Sequence, residues 1–136
     1  MKAKKIISIV LRLVAAVIML QTLYFKFTAQ PESIYIFSQL GMEPWGRIGT
    51  GVAELIASIL LLIPATIAIG ALLSIGVMLG AVITHLFVLG VEVQGDGGQL
   101  FAYAMIVLIA SVILLIVHFP QLIELKRRLL TPAQQG

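Results

Sequence analysis

Four apolar stretches, at roughly residues 6–26, 48–63, 67–89 and 100–118, decide what this chain can fold into. A helix needs about 20 apolar residues to cross a bilayer core, and the stretches are of that order. Between them they hold most of the chain, so little is left to build a polar surface. Charged residues are 11% of the sequence and hydrophobic ones 60%, where a soluble domain carries roughly 25% charged residues. The expected fold is therefore all-α: a single integral membrane domain over residues 1–136, built as an up-down four-helix bundle.

The charge that remains is placed at the ends. Lys2, Lys4 and Lys5 precede the first stretch, and Lys126, Arg127 and Arg128 follow the last. Four spans put both termini on one side, and basic ends assign that side to the cytoplasm of a cell inner (plasma) membrane. The positive balance thus points to the lipid bilayer as partner and not to nucleic acid. Lys-rich residues before an apolar run also resemble a signal peptide. Arg12 interrupts that run, however, and three further apolar stretches follow.

Periodicity orients the spans. In the first, Arg12, Ala15, Met19, Thr22 and Lys26 recur at alternating spacings of three and four, so they share one helix face, and that face is expected to point into the bundle. Residues 31–41 carry Pro31 and Glu32 at one end and Gly41 at the other, which predicts a short interfacial helix between helices 1 and 2. Ile34, Phe37 and Leu40 fall three apart on one face of it. In the second span Thr50, Glu54 and Ser58 form a polar stripe, beside a small-residue stripe of Gly49, Ala53 and Ala57 that predicts close helix approach. Pro64 predicts the end of this span at Ile63. The third span holds Gly76-Val-Met-Leu-Gly80, a packing signal in an apolar helix. Gly95-Asp96-Gly97-Gly98 predicts a turn before the fourth span.

An ionisable side chain inside a membrane is costly and ordinarily has a partner or a task. At about 1.5 Å per residue, Glu54 lies about 9 Å and His85 about 6 Å from the loop-side ends of their spans, with Lys26 and Tyr103 at similar levels. All four helices therefore deliver a polar group to one layer. Glu54, His85, Lys26 and Tyr103 are the candidate ligand-binding residues. The alternative is that Glu54 pairs with Lys26 or His85 simply to set helix register. Lys26 also lies near enough to the interface to snorkel. Arg12, on the cytoplasmic side, is expected to contact lipid phosphate or a partner, or to cap helix carbonyls.

Several chemistries fail on spacing or composition. The chain has no cysteine, which removes disulfides, thiol redox chemistry and cysteine-held clusters. His85 and His118 fall near opposite faces of the membrane, so they do not share one haem. Glu54 and His85 are two groups where a metal needs three or four, so no metal site is assigned. No serine has a histidine and an acid at its own depth, and no catalytic residue is assigned.

The ordered set of these residues resembles the DoxX and DoxX-like membrane proteins. The resemblance covers roughly residues 10–118 and rests on Arg12, Phe25-Lys26-Phe27, Leu40-Gly-Met-Glu-Pro-Trp45, Gly51-Val-Ala-Glu-Leu, Leu60-Leu-Leu-Ile-Pro64, Gly70-Ala-Leu-Leu and Gly80-Ala-Val-Ile-Thr-His85. It implies a four-helix membrane bundle, and matching the family's pattern picks out Arg12, Lys26, Glu54 and His85. It also implies association with redox complexes that use quinones, as for some family members. The function expected is a lipophilic ligand, quinone-like, held in the polar layer, in an accessory subunit whose partner supplies the electrons. No intrinsic cofactor is expected; a quinone is the candidate. The alternatives are a membrane scaffold with a purely structural polar layer, and a small proton-coupled carrier, for which a homo-oligomer would be needed to supply the machinery.

Overall fold

The computed structural model describes residues 2–130, and the single-domain expectation for residues 1–136 extends beyond these to Met1 and 131–136, which lie outside the described residues. The chain is helical with no strand among the described residues. In order come α1 (Lys2–Phe27), α2 (Pro31–Gln39), α3 (Trp45–Leu62), a 3-10 turn (Pro64–Thr66), α4 (Ile67–Thr84), a π-helical turn (His85–Leu89), α5 (Gln99–Val117) and α6 (Phe119–Leu130). Four of these segments, Lys2–Phe27, Trp45–Leu62, Pro64–Leu89 and Gln99–Val117, are long and apolar enough to cross a membrane.

The four spans close into a ring in which α1 packs on α3, α3 on α4, α4 on α5, and α5 back on α1. This is the up-down bundle that short connections between antiparallel neighbours require. One end of the ring, the terminal end, carries the start of α1 and all of α6. The other, the loop end, carries α2 and the 90–98 connection.

Small residues build the interior. Ala15, Ala57, Ala71, Val107 and Leu114 are fully buried, with Met19, Leu61 and Ile67 packed beside them. Large apolar side chains such as Val17, Ile83, Phe87 and Ile116 face outward. Lipid is as apolar as leucine, so membrane helices gain by close packing of small side chains rather than by burying large ones.

Small-residue stripes alone do not say which face is used. The Gly49-Ala53-Ala57 stripe splits: Ala57 is buried, whereas Gly49 is exposed with open space around it. Gly51 is the glycine against α1, where a Cβ would meet the Phe27 ring at 2.7 Å. Likewise Gly76 and Gly80 have nothing within 4 Å of a Cβ and mediate no close packing within the chain. Gly70 does that work instead, with its Cβ position 2.8 Å from the Leu61 backbone nitrogen. In α2 the inward residues are Ser33 and Phe37, with Ile36 and Leu40 half-buried, while Ile34 is exposed. A stripe at 33, 36, 37 and 40 follows the 3.6-residue turn, from which a strict spacing of three drifts away.

The terminal end is closed by side chains that satisfy helix ends. Ile63 is extended ahead of Pro64, so α3 stops there and its last carbonyls lack partners along the helix. Arg12 fills that need, donating to the carbonyls of Leu61 at 2.6 Å and Leu62 at 2.9 Å. Of the roles expected for Arg12, capping is the one its hydrogen bonds take. Gln121 of α6 donates to the Pro64 carbonyl at 2.8 Å and accepts the Ala68 N–H at 3.0 Å. Ser8 and His118 pair at 2.7 Å. Burial, aided by Arg12 and Lys4, holds His118 below the ordinary histidine range.

The glycines give opposite expectations. Gly70→Ala forces α3 and α4 apart and should cost roughly 1–3 kcal/mol. Gly76→Ala meets nothing and should be neutral, or stabilise by up to about 1 kcal/mol through helix propensity. Thermal unfolding in detergent ranks the two.

Candidate functional site

Glu54 sits two turns into α3 on the side that faces α1, and is 4% exposed. Lys26, from the last turn of α1, spans its carboxylate, with Nζ 3.1 Å from Oε1 and 3.2 Å from Oε2. Thr22, one turn earlier on the same face, donates to Oε2 at 3.1 Å while also facing the Met19 carbonyl at 2.8 Å. The spacing of Thr22 and Lys26 brings hydroxyl and ammonium to the same carboxylate. Lys26 is thus drawn inward, with its side chain 15% exposed, and does not snorkel to the interface.

Arg47, in the first turn of α3, is 6% exposed. It pairs with Glu43 at 2.8 Å and donates a second bond to the Lys26 backbone carbonyl. It therefore ties the end of α1 to the start of α3 at the residue whose side chain meets Glu54. Sequence reading passed over Arg47 because it adjoins a loop, where a cation is ordinarily solvated. The signal available was Glu43 four residues before it, the helical ion-pair spacing.

His85 opens the π-helical turn, and its Nδ1 lies 3.1 Å from the Gly90 carbonyl at the end of that turn. The ring packs edge-on against Phe101 of α5, with centroids 5.7 Å apart. The 90–98 connection that supplies Gly90 is organised by Asp96. Oδ1 accepts the N–H groups of Val93 at 3.0 Å and Gly98 at 2.8 Å, and Oδ2 accepts that of Leu100 at 3.2 Å. Three glycines with positive φ, Gly95, Gly97 and Gly98, make this wrap sterically allowed. Burial by itself raises the Asp96 carboxyl; the three N–H donors and the nearby His85 outweigh it and hold the group below the ordinary carboxylate range. Tyr103, in the second turn of α5, accepts a bond from the Gln99 side chain at 2.9 Å.

A cavity of about 540 Å³ lies at the loop end. Lys26, Glu54, His85 and Tyr103 all border it, as do α2 residues such as Ser33 and Phe37. Glu54 and His85 do not touch each other: Glu54 is partnered by α1, and His85 by its own turn. Arg12 lies at the other end of the bundle, away from the cavity. Gly76 and Gly80 are exposed and also line the cavity, with nothing within 4 Å of a Cβ at either. The arrangement offers a fixed ion pair, an imidazole and a phenol at the polar end of a mostly apolar space.

The family model described as the DoxX-like family matches residues 10–117. No curated protein and no solved structure gives a match.

The ion pair and the loop each give a measurement. Lys26→Met leaves a buried carboxylate without its cation and should cost about 3 kcal/mol, the lower end for a broken buried pair. Adding Glu54→Gln should recover much of that loss, as a double-mutant cycle in denaturant unfolding would read. For Asp96 the sign follows from its lowered folded pKa: its stabilisation is present above about pH 4 and is lost as pH falls through the folded value. Protection of the Val93, Gly98 and Leu100 amides, taken relative to intrinsic exchange at each pH, should fall over that window, and Asp96→Asn should remove that change in protection.

Proposed function

This chain belongs to the DoxX-like family, and from that premise we propose that it is a membrane protein that binds a lipophilic small molecule, quinone-like in character, in the cavity at its loop end. The observation that carries this reading is the cavity itself. Its volume of about 540 Å³ falls within the roughly 300–1,000 Å³ of small-molecule sites, which are mostly apolar with a few placed polar groups. Ile18, Met19, Val77 and Leu100 supply apolar wall, and Lys26, Glu54, His85 and Tyr103 supply the polar end.

A quinone fits such a space because its ring and tail are apolar and its oxygens need proton donors and acceptors when it changes redox state. In this reading Glu54 and Lys26 fix the polar end, and His85 and Tyr103 hydrogen-bond the head. The chain would serve as an accessory subunit, with electrons supplied by a partner. Its basic ends, Lys2 to Lys5 and Lys126 to Arg128, favour an inner membrane with both termini in the cytoplasm.

One observation favours a second reading. The Glu54 carboxylate already has Lys26 on both oxygens and Thr22 on one. A polar layer so well satisfied also suits a scaffold whose ion pair sets helix register for a partner complex.

The test is extraction of the protein from mild detergent, with mass spectrometry and ultraviolet absorbance of the extract. The ligand reading expects a stoichiometric lipophilic molecule that Glu54→Gln loses while remaining folded. The scaffold reading expects an empty protein and a Glu54→Gln variant that differs only by a lower unfolding temperature.

A further inference from the structure

Most polar groups around the cavity have no fixed polarity. Threonine, serine and tyrosine hydroxyls rotate to donate or accept as the neighbour demands. Glu54 accepts only, but Lys26 and Thr22 already occupy it. Lys26 donates only and is drawn to Glu54, and Glu32 accepts only; among the neutral side chains His85 is the one whose polarity the backbone fixes. Its Nδ1 faces the Gly90 carbonyl oxygen at 3.1 Å, and a carbonyl only accepts. Nδ1 must therefore carry the proton, and on the neutral ring Nε2 is then a bare acceptor.

That acceptor has no hydrogen-bond partner among the described residues. Among the described residues the one side-chain polar atom both sealed from solvent and unpaired is Ser111 Oγ. His85 Nε2 is unpaired but not sealed, in a ring that is otherwise 6% exposed. His85 is one of the residues that line the cavity. Phe101, packed edge-on, and the bond to Gly90 together keep the ring from turning its protonated nitrogen inward. Tyr103 complements it: its oxygen accepts from Gln99, so its own proton remains to donate into the cavity.

We propose that the ligand of this cavity is headed by a hydroxyl group, of the phenol or hydroquinone kind, which donates to His85 Nε2 while Tyr103 donates to a head-group oxygen. A head that carries only carbonyl or ether oxygens leaves Nε2 unpaired in an apolar space and binds less well. This rests on the reading of the cavity as a lipophilic-ligand site and states which members of that class it selects. The selection is made by hydrogen-bond polarity, because tail length and ring size are the same for the hydroxyl-headed and carbonyl-headed forms.

The test uses para-decylphenol, para-decylanisole and a decyl-benzoquinone, competed for the wild-type protein in nanodiscs and read by native mass spectrometry. The anisole replaces the phenol's donor hydrogen with a methyl group, and the quinone removes the donor without adding that methyl. The phenol should bind about tenfold tighter than either acceptor-only probe, the scale of one buried hydrogen bond. His85→Phe should bring phenol and anisole level, and Tyr103→Phe should weaken both in parallel while preserving their ratio. Equal binding of phenol and anisole by the wild type, or tightest binding of the quinone, overturns the inference and leaves the cavity reading standing. Retention of none of the three overturns the cavity reading, and the inference with it. The wild-type comparison decides the matter even where His85→Phe fails to fold.

Discussion

A carboxylate inside an apolar bundle must be met by a cation, and the contact between Glu54 and Lys26 is the constraint around which the loop end is arranged. It requires α1 and α3 to be neighbours in a register that puts the last turn of one beside the third turn of the other. Thr22 then falls on the same carboxylate because it stands one turn before Lys26. Arg47 fastens the backbone of Lys26 from the opposite side, so the cation is held at both its carbonyl and its ammonium. The pair is therefore both a packing device and the polar end of a space that α2 borders.

The two ends of the bundle solve the same problem differently. At the terminal end, unpaired backbone groups of the α3–α4 hairpin are taken up by Arg12 and Gln121, and Ser8 and His118 satisfy each other. Little polar capacity is left over, and the cavity lies elsewhere. At the loop end, His85 and Tyr103 each spend one hydrogen-bonding function on the protein and keep another free. Chemistry toward a ligand is available only where polar groups remain incompletely used, and that is where the open volume of about 540 Å³ lies.

The span count, the break at Pro64, the inward face of α1 and the layer shared by Lys26, Glu54, His85 and Tyr103 were legible before any coordinates. Each follows from a local rule: apolar length, proline stereochemistry, the 3.6-residue turn and the rise per residue. The glycines were not legible in the same way. Gly49, Gly51, Gly70, Gly76 and Gly80 all sit in apolar helices, yet only Gly51 and Gly70 lie against a neighbour. A glycine lets a helix approach, but which helix comes is decided by the whole ring. Arg47 and Gln121 were missed for the same reason, since their partners, Lys26 and the α3–α4 turn, are remote in sequence.

Composition and periodicity thus determined by themselves that this chain is a helical membrane bundle with one ionisable layer, because lipid leaves a polar backbone few alternatives and tolerates few charges. Only the tertiary structure decided who partners whom within that layer. Glu54 stood at comparable depth to both Lys26 and His85, and depth does not distinguish neighbours around a ring. The packing of α1 on α3 gave Glu54 to Lys26, and the turn after α4 gave His85 to Gly90. That division leaves one imidazole nitrogen free, and its polarity is a property of the folded loop that no spacing in the sequence encodes.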